Sequence, residues 1–462
     1  MPPPSRPSLA ALRPPNTANG CDRTDTITAR ATVGGARLSA TGSLPILKAS
    51  QCRLHPFFVS ATPTIIGLQG AGGAGRSETS VVVFRVIDSV GQPVANAEVW
   101  FALNTNAGGL GLSPVSGADG DVQTVVTSGS VITSVRVTAI LSTTTIATQS
   151  DLLRISSGLP DQGSMSISAE TLNPEALGFD GERVPITVRL ADHFNNRVAN
   201  GATVSFTTEG GSIDDADCSC QTVNGACSVD WVSQNPRPID RRPDGGRVTI
   251  LATAIGEESF TDTNGNGRFD SGEPFVDLPE AWRDDSEDRD DQDVPTPRRD
   301  PDEEFLDFNS NGTYDRPDGI YNGALCARDN ASCNGDVPRS VHVRESIILV
   351  MSGSLPVLQS PDSSTTLVLP GDFVIALSDS NGQVLPAGTT VAASTTKGLI
   401  GTPSEYTVNN TNATGPFTFR FEVSSEAGSA DSPPPPGSGQ LTITVTTPKA
   451  TVSYFNFPVI QN

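Results

Sequence analysis

The chain has 462 residues, enough for roughly three or four domains, and it carries 30 Lys and Arg against 52 Asp and Glu. The resulting net charge of −22 argues against nucleic acid and anionic membranes as partners, because both attract positive charge, and it makes divalent cations the natural counter-charge. Aromatic residues make up only 5 %, whereas 44 Gly and 36 Pro supply turns between short strands. No apolar run approaches the ~20 residues that cross a bilayer, so no membrane insertion is expected.

The first residues show no periodicity, and we predict a disordered, Pro-rich N-terminus over 1–25. Residues 26–33 then alternate like a strand and lead to Gly-Ser-Leu-Pro, so 26–60 are interpreted as the remnant of a preceding domain. The opening Met1-Pro-Pro-Pro lacks the apolar core of a secretion signal. We therefore expect that the chain is a fragment or that its true beginning lies upstream.

One pattern occurs three times along the chain. Each copy has an alternating strand, a turn that begins with aspartate (Asp88, Asp192 and Asp379), and a second strand of the form Val-x-x-Ala/Gly-x-x-Val. Alternation places one strand face inward and the other in water, which predicts β-sandwiches. We assign immunoglobulin-like domain 1 to 61–158, domain 2 to 159–355 with an acidic insert at about 257–335, and domain 3 with a C-terminal strand to 356–462. The predicted fold class is all-β, with tandem immunoglobulin-like β-sandwiches and a calcium-binding loop insert.

The insert contains a stretch that matches a calcium loop. Oxygen-bearing side chains occupy positions one, three, five, nine and twelve, a glycine occupies position six, and position seven offers a backbone carbonyl. Ca²⁺ prefers hard oxygen ligands in this arrangement, with the last acid supplying two oxygens. The predicted ligands are Asp262, Asn264, Asn266, the Arg268 carbonyl, Asp270 and Glu273. An acidic linker with Asp-Asn-Gly turns is the alternative interpretation.

A second loop follows the same template. Its predicted ligands are Asp307, Asn309, Asn311, the Thr313 carbonyl, Asp315 and Asp318. Position twelve is the shorter Asp318, so weaker or water-assisted binding is expected. A third pattern begins at Asp284, Ser286 and Asp288, but Arg289 stands where glycine is needed, and Glu303 or Glu304 is the candidate to complete it. Flanking residues predict strands and no helix pair, so Ca²⁺ is expected to act as a structural cofactor.

Seven cysteines include two local groups without histidine or paired CxxC spacing, which argues against zinc. We predict a disulfide between Cys326 and Cys333, and another that joins Cys227 to Cys218 or Cys220. Free or buried thiols are the alternative. Disulfides imply an oxidising compartment, hence an extracellular or cell-surface location.

The repeated strand and turn unit resembles the bacterial immunoglobulin-like domains of the invasin and intimin family, of the Big-1 type. The resemblance is clearest over 88–101 and 192–206, and it is weaker over 379–391. It implies β-sandwiches in tandem on a bacterial surface, often within adhesins. The sequence shows no outer-membrane barrel, peptidoglycan-binding segment or lectin-like tip. An adhesive activity is therefore implied only because such domains often occur within adhesins.

Signals of catalysis are absent from the sequence. There is no G-x-S-x-G elbow around a plausible nucleophile, no H-E-x-x-H and no phosphate loop, so no enzymatic activity is expected. His193 lies in the repeated turn and is predicted to face solvent. Trp100 and Trp231 lie in strand patterns and are predicted to be core residues, whereas Trp282 is predicted to pack the insert onto the sandwich.

The leading hypothesis is a non-enzymatic, calcium-stiffened stalk of an adhesin-like surface protein, whose partner is an unknown protein or cell-surface receptor. The alternative is a subunit of an extracellular filament that self-associates by strand or edge pairing. The apolar, alternating tail over 451–460 suits strand addition to a neighbour, and it equally suits completion of its own domain.

Overall fold

The computed structural model describes residues 24–33, 36–45, 55–69, 77–88, 91–95, 97–116, 120–142, 146–238, 245–287, 298–326, 332–333, 340–426, 428 and 435–461. Over these residues the secondary structure consists of short β-strands and two turns of 3-10 helix, at Ala107–Gly109 and Gln162–Ser164. No helix in this described part is long and apolar enough to cross a membrane. The prediction of an all-β fold is confirmed.

A hairpin precedes the first sandwich. Strands β1 (Thr24–Val33) and β2 (Ala36–Pro45) pair antiparallel along their whole length and form a two-stranded sheet. The disorder predicted for 1–25 falls on residues 1–23, which lie outside the described residues, whereas Thr24 and Asp25 belong to β1.

Domain 1 packs a four-stranded sheet, in the order β3-β5-β8-β7, with a three-stranded sheet, β11-β10-β6, and a small sheet, β4-β12-β9. Because β3 begins at His55 and pairs with β5, this sandwich starts before the predicted residue 61, inside the segment interpreted as a remnant of a preceding domain. Val82, Phe84 and Val86 alternate along β5 and are buried in the core between them. The strands are β3 (His55–Thr62), β4 (Ile65–Gly67), β5 (Thr79–Ile87), β6 (Val99–Leu103), β7 (Gly111–Ser116), β8 (Asp121–Thr127), β9 (Ser134–Val135), β10 (Val137–Leu141), β11 (Ala147–Gln149) and β12 (Leu153–Ser156).

Domain 2 is a sandwich of two four-stranded sheets, β13-β14-β18-β16 and β17-β15-β19-β22. The insert connects β19 to β22 and contains its own two-stranded sheet, β20-β21. The strands are β13 (Met165–Ala169), β14 (Arg183–Leu190), β15 (Thr203–Thr208), β16 (Ser212–Ile213), β17 (Ser219–Gln221), β18 (Ala226–Val232), β19 (Arg247–Gly256), β20 (Ala281–Trp282), β21 (Phe305–Leu306) and β22 (Val341–Val350).

Domain 3 packs a four-stranded sheet, β23-β25-β29-β27, on a five-stranded sheet, β24-β31-β30-β26-β28. Its core is a separate apolar cluster that includes Phe373, Phe421 and Phe457. The strands are β23 (Val357–Ser360), β24 (Leu367–Leu369), β25 (Gly371–Ser378), β26 (Thr390–Thr395), β27 (Leu399–Ile400), β28 (Glu405–Thr407), β29 (Phe417–Ser424), β30 (Gly437–Thr446) and β31 (Val452–Gln461).

The three sandwiches share the predicted turn. The strand before the turn is a central strand of its sheet in every copy: β5, β14 and β25. The aspartate that begins the turn accepts a hydrogen bond from the backbone N–H four residues later, at 2.9 Å each time. The residue three positions after the aspartate has a positive φ in each copy, which suits glycine and asparagine. These residues are Gly91, Asn195 and Gly382.

The C-terminal strand β31 completes domain 3. It pairs antiparallel with β30 over ten residues and parallel with β24, and it buries Phe457 and Val459 in the core of its own domain. The tail therefore gives no support to strand exchange with a neighbour. Assembly into a filament stays a prediction without a structural observation in its favour.

The two strand tryptophans differ. Trp231 is fully buried in domain 2, as predicted, and its indole N–H donates to the Gly210 carbonyl at 2.8 Å. Trp100 is 65 % exposed, so the prediction that it is a core residue is wrong. It occupies the outward position of β6, between the half-buried Val99 and Phe101 that face the domain 1 core.

Candidate metal centre

The first loop is folded around Asp262. One carboxylate oxygen accepts hydrogen bonds from the N–H groups of Gly265 (2.7 Å) and Asn266 (3.2 Å), and the other accepts from Gly267 (2.8 Å). Gly265 and Gly267 both have positive φ, so the chain can wrap tightly round one carboxylate. These contacts are typical of a compact metal-binding loop, in which the first acid organises the backbone.

The other predicted side chains of the first loop meet at Asp270. One of its oxygens accepts hydrogen bonds from the side-chain amide of Asn264 (2.8 Å) and from that of Asn266. The oxygens of these two amides accept backbone hydrogen bonds, Asn264 from the Asn266 N–H (3.0 Å) and Asn266 from the Arg268 N–H (2.8 Å). Three predicted ligands, Asn264, Asn266 and Asp270, thus contact one another, and each carries a side-chain oxygen of the hard type that Ca²⁺ prefers.

Glu273, at position twelve, ties the two ends of the loop together. Its carboxylate accepts hydrogen bonds from the Thr263 N–H (2.7 Å) and hydroxyl (2.9 Å), and from the Asp270 N–H (2.9 Å). Burial on its own raises the pKa of Glu273, but these hydrogen bonds outweigh it and hold the pKa below its usual value. In this structure the carboxylate binds backbone at positions two and nine, and its predicted bidentate role toward Ca²⁺ stays a prediction.

The second loop repeats the arrangement. Asp307 accepts hydrogen bonds from the N–H groups of Asn311 (3.1 Å) and Gly312 (2.7 Å), and Gly312 has a positive φ. Asp315 accepts from the side-chain amides of Asn309 and Asn311 (2.9 Å). The N–H of Thr313, whose carbonyl is the predicted ligand, donates to the Asn311 side chain at 2.7 Å.

Position twelve of the second loop requires a correction. Glu280, and not Asp318, closes this loop, because its carboxylate accepts hydrogen bonds from the N–H groups of Phe308 (2.8 Å) and Asp315 (3.0 Å). These are positions two and nine, the positions that Glu273 binds in the first loop. Glu280 is 7 % exposed and has the longer side chain that this reach requires. It precedes its loop in the chain, so a search of consecutive positions could not find it.

The third pattern is closed by Glu303, one of its two predicted candidates. The Glu303 carboxylate accepts hydrogen bonds from the N–H groups of Asp285 (2.9 Å) and Asp300 (2.9 Å). Asp284 accepts from the Glu287 N–H at 2.9 Å, and Glu287 has a positive φ as the equivalent Gly265 does. The predicted members Asp288 and Arg289 lie outside the described residues.

Asp318 belongs to a fourth loop, which the sequence did not reveal because its two halves are far apart in the chain. Asp277 accepts hydrogen bonds from the N–H groups of Asp318 (3.2 Å) and Gly319 (2.7 Å), as Asp307 does from Asn311 and Gly312. Glu258 closes the loop through the N–H groups of Leu278 and Asn322, both at 2.8 Å. Pro279, two residues after Asp277, offers no side-chain oxygen at position three, so this loop has fewer donors than the first two.

The described residues contain no group of three or more His, Cys, Asp or Glu side chains spaced to hold a metal ion. In each of the first two loops, two of the five predicted side-chain donors are asparagines, a residue outside that set. Ca²⁺ accepts mixed carboxylate, amide and carbonyl oxygens, which zinc does not favour, and Ca²⁺ binding by these loops stays a prediction.

The described part of the chain contains two disulfides, Cys220–Cys227 and Cys326–Cys333. The predicted bridge of Cys326 to Cys333 is confirmed, and Cys220 is the partner of Cys227. Cys218 has a free, exposed thiol. The first bridge joins β17 to β18, and the second lies where the insert packs against the domain 1 core.

Two further side chains link the insert to the sandwich. Trp282 packs as predicted, with the guanidinium of Arg344 from β22 stacked 5.2 Å from its ring. His193 does not face solvent, which corrects the prediction. Its side chain is 12 % exposed, lies 3.1 Å from Asp161 and stacks on Phe260 of the insert.

The junction of domain 1, domain 2 and the insert contains a buried carboxyl group with a pH-dependent effect. Burial raises the pKa of Glu257 from 4.5 to about 8, assisted by nearby Asp161 and Asp192 and opposed by hydrogen bonds from Ser157 and Ala324. Burial lowers the pKa of His193, but Asp161 outweighs it and the net shift is upward. Both groups bind more protons in the folded protein, so stability falls as pH rises through their folded pKa values.

We expect the temperature of the first melting transition, measured by calorimetry in EDTA, to fall by more than about 3 °C between pH 6 and pH 8.5. A loss of about 1 kcal/mol in the free energy of unfolding produces a shift of that size in a domain of this length. Glu257→Gln keeps the shape of the side chain and removes its titration, so its curve should be flatter. Equal pH slopes in the wild type and in Glu257→Gln would contradict this assignment. Glu405→Gln, at an exposed position in domain 3, is the control.

No protein-family model matches the chain, and no curated protein matches it. Among solved structures it is similar to InvD of Yersinia pseudotuberculosis (13 % identity, TM-score 0.25, 88 % of this chain and 97 % of that one) and to the Escherichia coli adhesin FdeC (11 %, 0.25, 88 % and 96 %). It is also similar to the D0-D1 domain of intimin (20 %, 0.19, 42 % and 87 %). Likenesses at this level carry no argument about binding or activity.

Proposed function

We propose that this protein is a non-enzymatic, extracellular stalk of the adhesin kind, in which Ca²⁺ bound by the insert stiffens a row of immunoglobulin-like domains. The observation that supports the proposal is the shared geometry of the first two loops: each is folded round one aspartate, directs two asparagine side chains to a second aspartate and is closed by a buried glutamate. Ca²⁺ would supply the positive charge that these acids lack.

The proposed Ca²⁺ ligands come from both loops. In the first loop they are Asp262, Asn264, Asn266, the Arg268 carbonyl and Asp270, with Glu273 as the closing acid. In the second loop they are Asp307, Asn309, Asn311, the Thr313 carbonyl and Asp315, with Glu280 as the closing acid. Without a cation, the carboxylates of the insert repel one another, and we expect the insert to loosen.

The extracellular location is supported by the two disulfides, which form and persist in oxidising compartments. Extracellular calcium modules typically bind with dissociation constants of about 10⁻⁴ to 10⁻³ M, which matches an ion held outside the cell. The strand and turn repeat supports a Big-1 type stalk, whose distal partner would be a protein or cell-surface receptor.

Calcium titration of the full chain by calorimetry, with thermal melting beside it, tests the proposal. We expect saturable binding of at least one ion and a rise in the melting temperature. At a calcium concentration one hundred times the dissociation constant, binding adds about 2.7 kcal/mol of stability. No heat at millimolar calcium would refute the proposal and leave the insert as an acidic connector.

The variant Asp262→Ala with Asp270→Ala should remove the ion of the first loop and most of its share of the stabilisation. Asn264→Ala is the milder variant, which removes one neutral donor and should weaken binding without abolishing it. The matched control is Asp362→Ala, an exposed aspartate of domain 3 whose side chain lies outside the insert. It should titrate like the wild type.

A further inference from the structure

The two joints between sandwiches are held by different parts of the chain. At the joint of domains 2 and 3, Asn173 is fully buried and its amide donates to the carbonyls of Leu385 (2.8 Å) and Asn409 (3.1 Å). Its side-chain oxygen accepts from the Thr411 N–H at 3.0 Å. One asparagine of domain 2 thus binds two loops of domain 3 without help from the insert.

Other contacts of this joint also come from the sandwiches themselves. Glu175 is 4 % exposed, and its carboxylate accepts hydrogen bonds from the Thr447 hydroxyl and the Lys449 N–H, both at 2.7 Å. The Ser352 hydroxyl donates to the Val384 carbonyl at 2.7 Å. These buried, fully paired groups resist bending because each would lose its partner in a low-dielectric setting.

Among its described residues, the insert makes one link near this joint. Glu287 pairs with the buried Arg247 of β19 at 2.8 Å, and Arg247 donates to the Asn412 carbonyl of domain 3 at 2.8 Å. Arg247 is itself a residue of the sandwich. Loss of Glu287 would therefore leave the hydrogen bonds of Asn173 and Glu175 in place.

The joint of domains 1 and 2 depends on the insert. Five insert residues belong to the same apolar cluster as the core of domain 1: Phe260, Phe269, Tyr321, Leu325 and Cys333. The Arg268 guanidinium, in the first loop, donates to the Ser130 carbonyl of domain 1, and Val131 lies against Gly267. From the rest of domain 2, Phe194 packs on the same cluster.

We propose that Ca²⁺ controls one joint of this chain and leaves the other unaffected: it fixes domain 1 on domain 2, whereas domains 2 and 3 stay fixed with or without it. This inference rests on the proposed calcium binding. The physical reason is that the first loop and the aromatic residues beside it form the contact surface for domain 1. When that loop loosens, domain 1 loses its support.

Pulsed dipolar spectroscopy on the full chain tests this directly. Spin labels introduced through an unnatural amino acid at the exposed positions Gln149, Arg189 and Thr418, in domains 1, 2 and 3, leave the native cysteines untouched. In EDTA we expect the distance distribution between the first pair of labels to broaden at least about twofold, because weakly bound domains move relative to one another. The distribution between the second and third labels should not change.

Calcium titration of the labelled proteins by calorimetry distinguishes failure of this inference from failure of the proposed function. If calcium binds and the first distribution does not change, or both change alike, the one-joint inference is wrong and the calcium proposal survives. If no calcium binds, the proposed function fails and the inference with it.

Arg268→Ala removes the bond to Ser130 without removing an acid, so it should broaden the first distribution even in calcium. Arg316→Ala is the control, an exposed arginine near the second loop. An unchanged distribution in Arg268→Ala would show that the first loop does not hold domain 1.

Discussion

Replacing Trp231 with alanine is expected to destabilise domain 2 by about 3–5 kcal/mol, enough to unfold a domain of ordinary stability. The ring is fully buried between the sheets, and its N–H satisfies the Gly210 carbonyl. Gly211, at a φ of +70°, lies so close that an added Cβ would be 2.7 Å from the ring, so neighbouring backbone is fitted to this side chain. The cavity in Trp231→Ala would stay largely unfilled.

Denaturant unfolding followed by circular dichroism measures the effect, and the chain contains its own matched control. Trp100→Ala removes the same side chain from an exposed strand position, where substitutions usually change stability by less than about 0.5 kcal/mol. Similar losses in the two variants would contradict the assignment of Trp231 to the core.

Asn173→Ala is expected to lower the melting temperature of domain 3 and to leave that of domain 2 less affected. The change leaves the buried Leu385 carbonyl without its partner, which costs about 1–3 kcal/mol, and it also removes the part-buried hydrogen bonds to the Asn409 carbonyl and the Thr411 N–H. The loss, about 1–3 kcal/mol for the Leu385 carbonyl alone, falls on the joint because the partners Leu385, Asn409 and Thr411 are all in domain 3.

Differential scanning calorimetry should show a domain 3 transition at lower temperature in Asn173→Ala, and limited proteolysis should cut more readily near residue 355. Asn456→Ala is the control, since Asn456 is exposed on β31 and water replaces its bond to Thr442. A melting profile equal to that of the wild type would mean that the joint does not depend on Asn173.

The sandwiches were predictable because their signals are local. Strand alternation and a turn of fixed length recur three times, and the position three residues after Asp88, Asp192 and Asp379 carries glycine or asparagine for a conformational reason. Alternation did not distinguish the buried Trp231 from the exposed Trp100. Both lie in apolar stretches, and only the pairing of strands decides which face of a strand turns inward.

The candidate site was predictable only where its residues are consecutive. The first loop carries its aspartates, asparagines and closing glutamate within one stretch, so the sequence contains the whole pattern. Glu280 and Glu258 are separated from the loops that they close, and Asp277 meets Asp318 only after the chain has folded back. The sequence does show a series of single acids from Glu258 to Asp284. Their role in closing the loops is visible only in the hydrogen bonds of the folded chain.

The insert enters and leaves domain 2 at adjacent points. It joins the ends of β19 and β22, which pair over ten residues with Gly256 directly opposite Val341. In evolutionary terms the sandwich is a host, and the insert is a guest placed in the turn of a hairpin. Such a position tolerates exchange because no strand of the host must change its neighbour. Related chains could therefore gain, lose or replace this guest and keep the same row of sandwiches.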